Sequence, residues 1–285
     1  LEGRDMKRGC TALRGLPFVA RGVLAGLILA GASPANAIEL ASHRAVYNLE
    51  LERAKSSADI GGLNGRMVLE WVGSSCEGYT LNQRLVTQVA DTDGGVMVRD
   101  VRLSSWESGE GEHFRFELQQ FVNGTLVETV SGEATRDGTR DGAGAVFSQP
   151  PGTKLALPGS VIFPSEFVRD LVSAALAGRS LETAQVFEGA ETDRYFEVSS
   201  FIGKERRGAG DVATLTGDGK ALVGKRAWPV QVSYFNVDDQ QGLPDYQVSY
   251  QMFEDGVSSD MLLDYGDLVI KGRLVELDYI TVSPC

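Results

Sequence analysis

The sequence predicts a mainly β protein built as a long antiparallel meander, and three observations support this prediction. Apolar and polar residues alternate along much of the chain, as in HRAVYNLEL (43–51) and EHFRFELQQFV (112–122). Turn dipeptides of the Asp-Gly or Asn-Gly kind separate the alternating runs, at 93–94, 123–124, 137–138 and 255–256. One stretch alone, PSEFVRDLVSAALAG (164–178), has its apolar residues at helical spacing instead.

Residues 1–37 have the layout of a secretory signal peptide. Basic residues after Met6 precede a short apolar run, VLAGLILAGA (23–32), and a small-x-small pattern that ends at Ala37. A membrane-spanning helix needs roughly 20 apolar residues, and this run is shorter, although an N-terminal anchor is the alternative. We therefore predict cleavage after Ala37 and one exported β-rich domain, residues 38–285, that is not an integral membrane protein.

The strand predictions follow the chain in order, and each run has one apolar and one polar face. The first, at 43–51, puts Ala45, Tyr47, Leu49 and Leu51 on its apolar face. Comparable runs follow at 66–72, 78–89, 112–122, 228–235 and 245–253. A polar face on every strand predicts a sheet that is wetted on one side or wrapped around a lumen.

The one predicted α-helix covers about 165–177, with Ser165 as its N-cap and Gly178 as its terminating residue. A helix of about three turns among strands usually plugs or covers an open sheet edge or the mouth of a barrel. Further along, Lys204–Gly224 is rich in glycine and charge, which predicts a long loop with little structure.

Three cysteines are present, and Cys10 lies in the predicted signal peptide, which leaves Cys76 and Cys285. Two cysteines in an oxidising compartment pair by default. A Cys76–Cys285 bridge would close nearly the whole exported chain, which in the chain-entropy model stabilises it by roughly 4–5 kcal/mol. The alternative is a nucleophilic thiol at Cys76 that is served by a histidine.

The charge balance argues against polyanionic partners. The chain has a formal net charge of −12, and its first 37 residues hold five Lys or Arg against two Asp or Glu, so the remainder is more acidic still. An acidic protein repels nucleic acid and anionic membrane surfaces. We therefore expect no nucleic-acid partner.

No motif in the sequence indicates catalysis, a metal or a cofactor. His43 and His113 are far apart, and each is better explained as a structural or a solvated histidine. GKALVGKR (219–226) nearly matches a phosphate-binding loop, but Arg226 replaces the Ser or Thr and no strand or helix flanks it. Acidic clusters lack the ligand spacing of a calcium loop, and no G-x-S-x-G elbow occurs. We expect no catalytic residue, metal or cofactor.

The remaining feature is the apolar face shared by the strands. A curved sheet wrapped on a helix is able to enclose a cavity for a lipid or an apolar protein segment. The alternative is that these residues only fill a core, as the inward residues of any β protein do. The sequence leaves both open and identifies no ligand-binding residue.

Four stretches, together with the terminal cysteine, resemble the EipB family of periplasmic cell-envelope integrity proteins of alphaproteobacteria. They are HRAVYNLEL (43–51), LEWVGSSCEGYTLNQRL (69–85), WPVQVSYF (228–235) and residues 243–278. The resemblance implies a long antiparallel sheet that curls into an open, spiral-like β-barrel with the helix in its concave side. It also implies the Cys76–Cys285 disulfide and a periplasmic location, and it supplies no catalytic residue.

Two functional hypotheses follow. The first is a non-enzymatic periplasmic protein that maintains envelope integrity and stress resistance by holding a lipid, a lipoprotein or a protein partner on its concave surface. The second is an envelope hydrolase that uses an Asp/Glu pair, for which the sequence singles out no two residues.

Overall fold

The structure, a computed structural model, describes residue 38 and residues 40–137, 142–237 and 242–283. The predicted signal peptide, 1–37, lies outside these residues, so cleavage after Ala37 stays a prediction. The strands, in chain order, are β1 (His43–Ala54), β2 (Ile60–Ser74), β3 (Gly78–Asp91), β4 (Val96–Glu107), β5 (His113–Val122), β6 (Thr125–Arg136), β7 (Ala143–Gln149), β8 (Lys154–Leu157), β9 (Val161–Ile162), β10 (Leu181–Val186), β11 (Phe196–Ile202), β12 (Arg206–Arg207), β13 (Thr216–Gly217), β14 (Arg226–Asn236), β15 (Tyr246–Phe253), β16 (Ser258–Asp264) and β17 (Leu268–Tyr279).

The helical elements are few in the described part of the chain. They are one α-helix, α1 (Pro164–Leu176), and three short 3₁₀ helices at Ser56–Ala58, Gly210–Thr214 and Gly219–Leu222. The α-helix was predicted at 165–177 and lies one residue earlier. Strands therefore dominate the fold, as the alternating pattern predicts.

The strands form one sheet that extends to both sides of β1. On one side β1 pairs with β2, and β3 to β8 follow as antiparallel neighbours in chain order. On the other side β1 pairs with β17, and β16, β15, β14, β11 and β10 follow, all antiparallel. β9 pairs in parallel with β10 and ends the row.

The two ends of the sheet, β8 and β9, are consecutive in the chain, and residues 158–160 connect them. The sheet is therefore a nearly closed barrel with one seam, which lies between β8 and β9. Within the described residues, this confirms the predicted mainly β barrel with one α-helix.

Three of the predicted turns lie between antiparallel strands, where the glycine and asparagine residues adopt positive φ. Asn123 and Gly124 have φ of 50° and 79° and join β5 to β6, as a two-residue hairpin requires. Gly94 and Gly256 have φ of 92° and 87° and join β3 to β4 and β15 to β16. The fourth, Asp137-Gly138, is only partly within the described residues.

Side chains fill most of the barrel. Near the seam, a cluster of aromatic rings packs strands β5, β7 and β9 together, with rings from Phe114, Phe116, Phe147, Phe163 and Phe187. A second cluster surrounds Tyr47, Leu274 and Leu277, and a third packs α1 against β2, β3, β10, β11, β14 and β15. The interpretation of the apolar face as core is therefore correct for much of the barrel.

The prediction of a weakly structured loop at Lys204–Gly224 is wrong. The segment contains β12, β13 and two of the 3₁₀ helices. Val212 and Leu222 are buried in the second cluster, and burial of these two apolar side chains anchors a segment whose composition is otherwise that of a loop.

Candidate binding cavity

Helix α1 lies on the concave face of the sheet, and a carboxylate from a strand fixes its first turn. Glu107 Oε2 accepts a hydrogen bond from the backbone N–H of Ser165 at 2.7 Å, and Oε1 accepts one from Glu166 at 3.0 Å. The Glu107 side chain is buried, with 1% of its surface exposed. It satisfies two of the N–H groups that a helix start leaves without intrahelical partners.

The predicted N-cap at Ser165 is therefore wrong. The N-cap is Phe163, with extended backbone, and Pro164 occupies the first helical turn. A side chain 58 residues away in sequence supplies the capping oxygens instead. Local sequence reasoning looks for a cap next to the helix and does not detect this partner.

The predicted terminating residue, Gly178, is correct. Its φ of 73° is in the left-handed region that glycine adopts without strain. The N–H of Gly178 donates to Ala175 and that of Arg179 to Ala174, which is the pattern of a Schellman motif. Hydrogen bonds thus cap both ends of α1.

A cavity of about 250 Å³ lies between α1 and the sheet. Its walls are mainly apolar and include Leu69 and Trp71 of β2, Phe167 and Val168 of α1, and Val248 of β15. A dry apolar cavity of roughly 150 Å³ holds a benzene molecule, so this one has room for a ligand segment of about ten non-hydrogen atoms. Side chains leave this space between α1 and the sheet unfilled.

One carboxylate lines the cavity. The Tyr246 hydroxyl donates a hydrogen bond to Glu188 Oε2 at 2.8 Å, and the Tyr234 hydroxyl interacts with the same group. The rings of Tyr234 and Tyr246 stack with their centroids 4.3 Å apart. Burial raises the pKa of Glu188, while the hydrogen bonds from the tyrosines oppose that rise. The carboxyl group is thus held in place by hydroxyl donors inside an apolar site.

Two further polar side chains line the cavity on β1 and β2. His43 pairs directly with Trp71 across these strands, and its Nδ1 lies 2.7 Å from the Ala41 carbonyl oxygen. Burial lowers the pKa of His43, which favours the neutral ring. Trp71 is 7% exposed, and its indole N–H has no hydrogen-bond partner among the described residues. A buried donor without a partner commonly marks a place where water or a ligand binds.

The family model for EipB-like proteins matches residues 34–281. The chain belongs to the EipB-like family. It is 36% identical over 250 residues to the cell envelope integrity protein EipB of Brucella abortus (strain 2308), covering 87% of each chain. It is also similar to a solved structure from Brucella abortus, described as a beta-barrel-like protein of a domain of unknown function. That match has a TM-score of 0.80 and 35% identity, and it covers 86% of this chain and 100% of the other.

The family membership confirms the resemblance that the sequence indicates.

The two histidines of this EipB-like barrel occupy the structural and solvated positions that the sequence predicts. His43 is hydrogen-bonded and buried, which agrees with a structural histidine. His113 is exposed on the polar face of β5. The described residues contain no group of three or more His, Cys, Asp or Glu placed to hold a metal ion.

The GKALVGKR segment of this EipB-like chain is not a phosphate-binding loop. It forms a 3₁₀ helix, Gly219–Leu222, and then leads into β14 rather than into an α-helix. Lys225, at the position of the phosphate-binding lysine, forms an ion pair with Asp255 and a 3.1 Å hydrogen bond with the Tyr279 hydroxyl.

One of the two cysteines of the predicted disulfide, Cys76, lies within the described residues. Cys76 lies in the turn between β2 and β3, whereas Cys285, like Cys10, lies outside the described residues. Ile280, just after β17, donates its N–H to Ser42, whose hydroxyl oxygen accepts the N–H of Gly73 at 3.1 Å. Ile280 therefore lies near the end of β2 that leads into the turn of Cys76, and the bridge itself stays a prediction.

Sequence reasoning missed Glu107 and Glu188. Glu188 follows the buried pair Val186 and Phe187, so a charged residue directly after an apolar strand end is a usable signal. Tyr246, which donates to it, lies in the recognised alternating run at 245–253. Nothing in the run of residues around Glu107 distinguishes it from a surface carboxylate.

One observation concerns membranes. Within the described residues, no helix combines the length and the apolar character that crossing a bilayer requires.

Proposed function

We propose that the protein is a non-enzymatic periplasmic protein that maintains cell-envelope integrity by holding an apolar segment of an envelope component in the cavity against α1. The component is a lipid, a lipoprotein or a protein partner. The observation that carries the proposal is the cavity of about 250 Å³ with mainly apolar walls between α1 and the sheet. Small-molecule sites are typically concave and apolar with a few polar groups, and this cavity has that composition.

The relative supports the envelope role. The protein of Brucella abortus that is 36% identical is named a cell envelope integrity protein. The signal-peptide pattern at 1–37 supports export to the periplasm. Resistance to envelope stress follows from this role, because loss of an integrity protein leaves the envelope more permeable.

The hydrolase hypothesis needs two carboxylates that flank a bond of the substrate. Among the residues that line the cavity, Glu188 is the one carboxylate. A binding role therefore fits this cavity better than acid–base catalysis by an Asp/Glu pair. Turnover of peptidoglycan or glycolipid by the purified protein, abolished by Glu188→Gln, would favour the hydrolase instead.

The test fills the cavity and leaves the barrel intact. Val168 lies on α1 against the cavity, and Val168→Trp places a large ring there. Val146→Trp is the matched control, because Val146 is 55% exposed on β7 and the same change adds the ring outside the cavity. Each variant is expressed in a strain that lacks the gene, and survival in detergent and in a cell-wall antibiotic is measured.

We expect wild type and Val146→Trp to restore resistance and Val168→Trp to fail, with equal amounts of folded protein. The proposal is contradicted if deletion of the gene leaves sensitivity unchanged. It is also contradicted if the cavity-filled variant restores resistance fully.

A further inference from the structure

The charge of the cavity indicates which end groups a ligand can have. Its lining includes no lysine or arginine, and Glu188 is the one Asp or Glu among the residues that line it. His43, which also lines the cavity, is held toward its neutral form by burial. A carboxylate or a phosphate on a ligand would therefore meet no cation in this site and would face a second acid.

The groups around Glu188 suit a cation better than an anion. Tyr246 and Tyr234 are buried or half-buried, and their hydroxyls are directed at the Glu188 carboxylate. Tyr234 and Tyr250 also line the cavity, and aromatic rings attract ammonium groups through their electron-rich faces. Burial raises the pKa of Glu188, the hydrogen bonds from the two tyrosines oppose that rise, and an ammonium group bound beside the carboxyl group favours its ionised form. The cavity lining supplies no lysine or arginine to compete for its acceptor sites.

A second, independent observation points to a ligand. The indole N–H of Trp71 is a buried donor without a partner among the described residues, in a side chain that lines the same cavity. A donor left unpaired in the core costs free energy that a bound water or an acceptor atom recovers. An ammonium group has no acceptor, so water or another part of the ligand pairs with this N–H. The cavity thus carries one polar group that its own walls do not satisfy.

We infer that the cavity selects amphiphiles that carry a cationic amine on an apolar chain, with the ammonium group bound beside Glu188, and discriminates against chains that end in a carboxylate or a phosphate. This inference rests on the proposed function and names the ligand class of the same cavity. The apolar walls contact the apolar chain of the ligand, and the charge of Glu188 discriminates between ligand end groups.

The expected selectivity is greatest between opposite charges. A buried ion pair gains little over a neutral pair, because both ions lose their hydration. A like charge placed beside the half-buried Glu188 carboxylate is unfavourable, and one of the two groups must take up a proton. We therefore expect a C10 amine to bind about tenfold or more tightly than the C10 carboxylate, with the C10 alcohol between them.

The experiment titrates the purified protein at pH 8 with decylamine, decanol and decanoate, each below its micellar concentration, by isothermal calorimetry. Displacement of the neutral fluorescent probe N-phenyl-1-naphthylamine reports occupancy of the apolar walls whatever the end group. Glu188→Gln removes the charge and keeps the shape. Glu197→Gln is the matched control, because Glu197 is an exposed residue of β11.

We expect wild type and Glu197→Gln to rank amine over alcohol over carboxylate, and Glu188→Gln to reduce the amine–carboxylate ratio to about threefold or less. If all three ligands displace the probe equally in wild type, or if decanoate binds best, the inference is wrong while the proposed function stands. If neither the ligands nor the probe binds, both fail. The ranking in wild type does not depend on the folding of any variant.

Discussion

The contact between Glu107 and α1 gives the sharpest test of how the helix is held in the barrel. Glu107→Ala removes the acceptor of two backbone N–H groups, those of Ser165 and Glu166, at 2.7 and 3.0 Å. Ser165 is itself buried, so water does not easily replace the lost oxygen. The helix start would then hold two donors without partners.

The magnitude follows from those two donors. A buried donor left unsatisfied costs about 1–3 kcal/mol, so two of them cost about 2–6 kcal/mol. Removing Glu107 also relieves the desolvation that raises its pKa to about 7. We therefore expect a loss of about 2–4 kcal/mol in the free energy of unfolding, within the range of a lost helix cap and buried hydrogen bond.

The assay is urea denaturation followed by far-ultraviolet circular dichroism, which yields the free energy of unfolding and its slope. Glu117→Ala is the control, because Glu117 is exposed on β5, and we expect it to change stability by about 0.5 kcal/mol or less. Glu107→Gln keeps one acceptor oxygen and should lose less than Glu107→Ala. A loss below about 1 kcal/mol for Glu107→Ala would refute the assignment of Glu107 as the cap of α1.

Three further predictions concern pH, the aromatic cluster and the disulfide. Burial raises the pKa of Glu107 from 4.5 to about 7, so the folded state binds this proton more tightly than the unfolded state does. The free energy of unfolding should therefore fall by up to about 3 kcal/mol as pH rises from 4.5 to 7. Denaturation at several pH values checks this, and a wild-type slope no steeper than that of Glu107→Gln would count against it. Phe187 is 1% exposed, and its ring centroid lies 5.5 Å from that of Phe116. Phe187→Ala should therefore lower the free energy of unfolding by about 3–5 kcal/mol, whereas Phe201→Ala should lower it little because Phe201 is exposed. Equal urea midpoints for these two variants would contradict the packing argument. Cys285→Ser should lower the melting temperature under oxidising conditions and expose one thiol at Cys76, and two reactive thiols in unfolded, unreduced wild type would disprove the bridge.

Patterns that are local in sequence predicted the fold well. Alternation at 43–51 and 112–122 placed β1 and β5, and the helical spacing and Gly178 placed α1 to within one residue. These features depend on residues within a turn or a strand of each other. The hydrophobic period determines which face of each strand is buried, and burial of that face determines the register in which the strands pair.

Features that depend on distant contacts were missed or predicted wrongly. Glu107 caps a helix 58 residues away, and Glu188 meets Tyr246 by a contact of the same sequence separation. The seam between β8 and β9 follows from closure of the whole sheet, which no short segment specifies. The cavity is likewise a volume left over after packing, so only the packed chain reveals it.

We propose that the cavity against α1 holds an apolar part of an envelope component in the cell. The most direct measurement places the photo-crosslinking residue p-benzoylphenylalanine at Val168, which lines the cavity, and separately at the exposed Val146. Intact cells are irradiated, and the adducts are identified by mass spectrometry. We predict a lipid, lipoprotein or apolar protein segment attached at position 168 and absent at position 146. No adduct at 168, or the same adducts at both positions, would contradict the proposed binding role of the cavity.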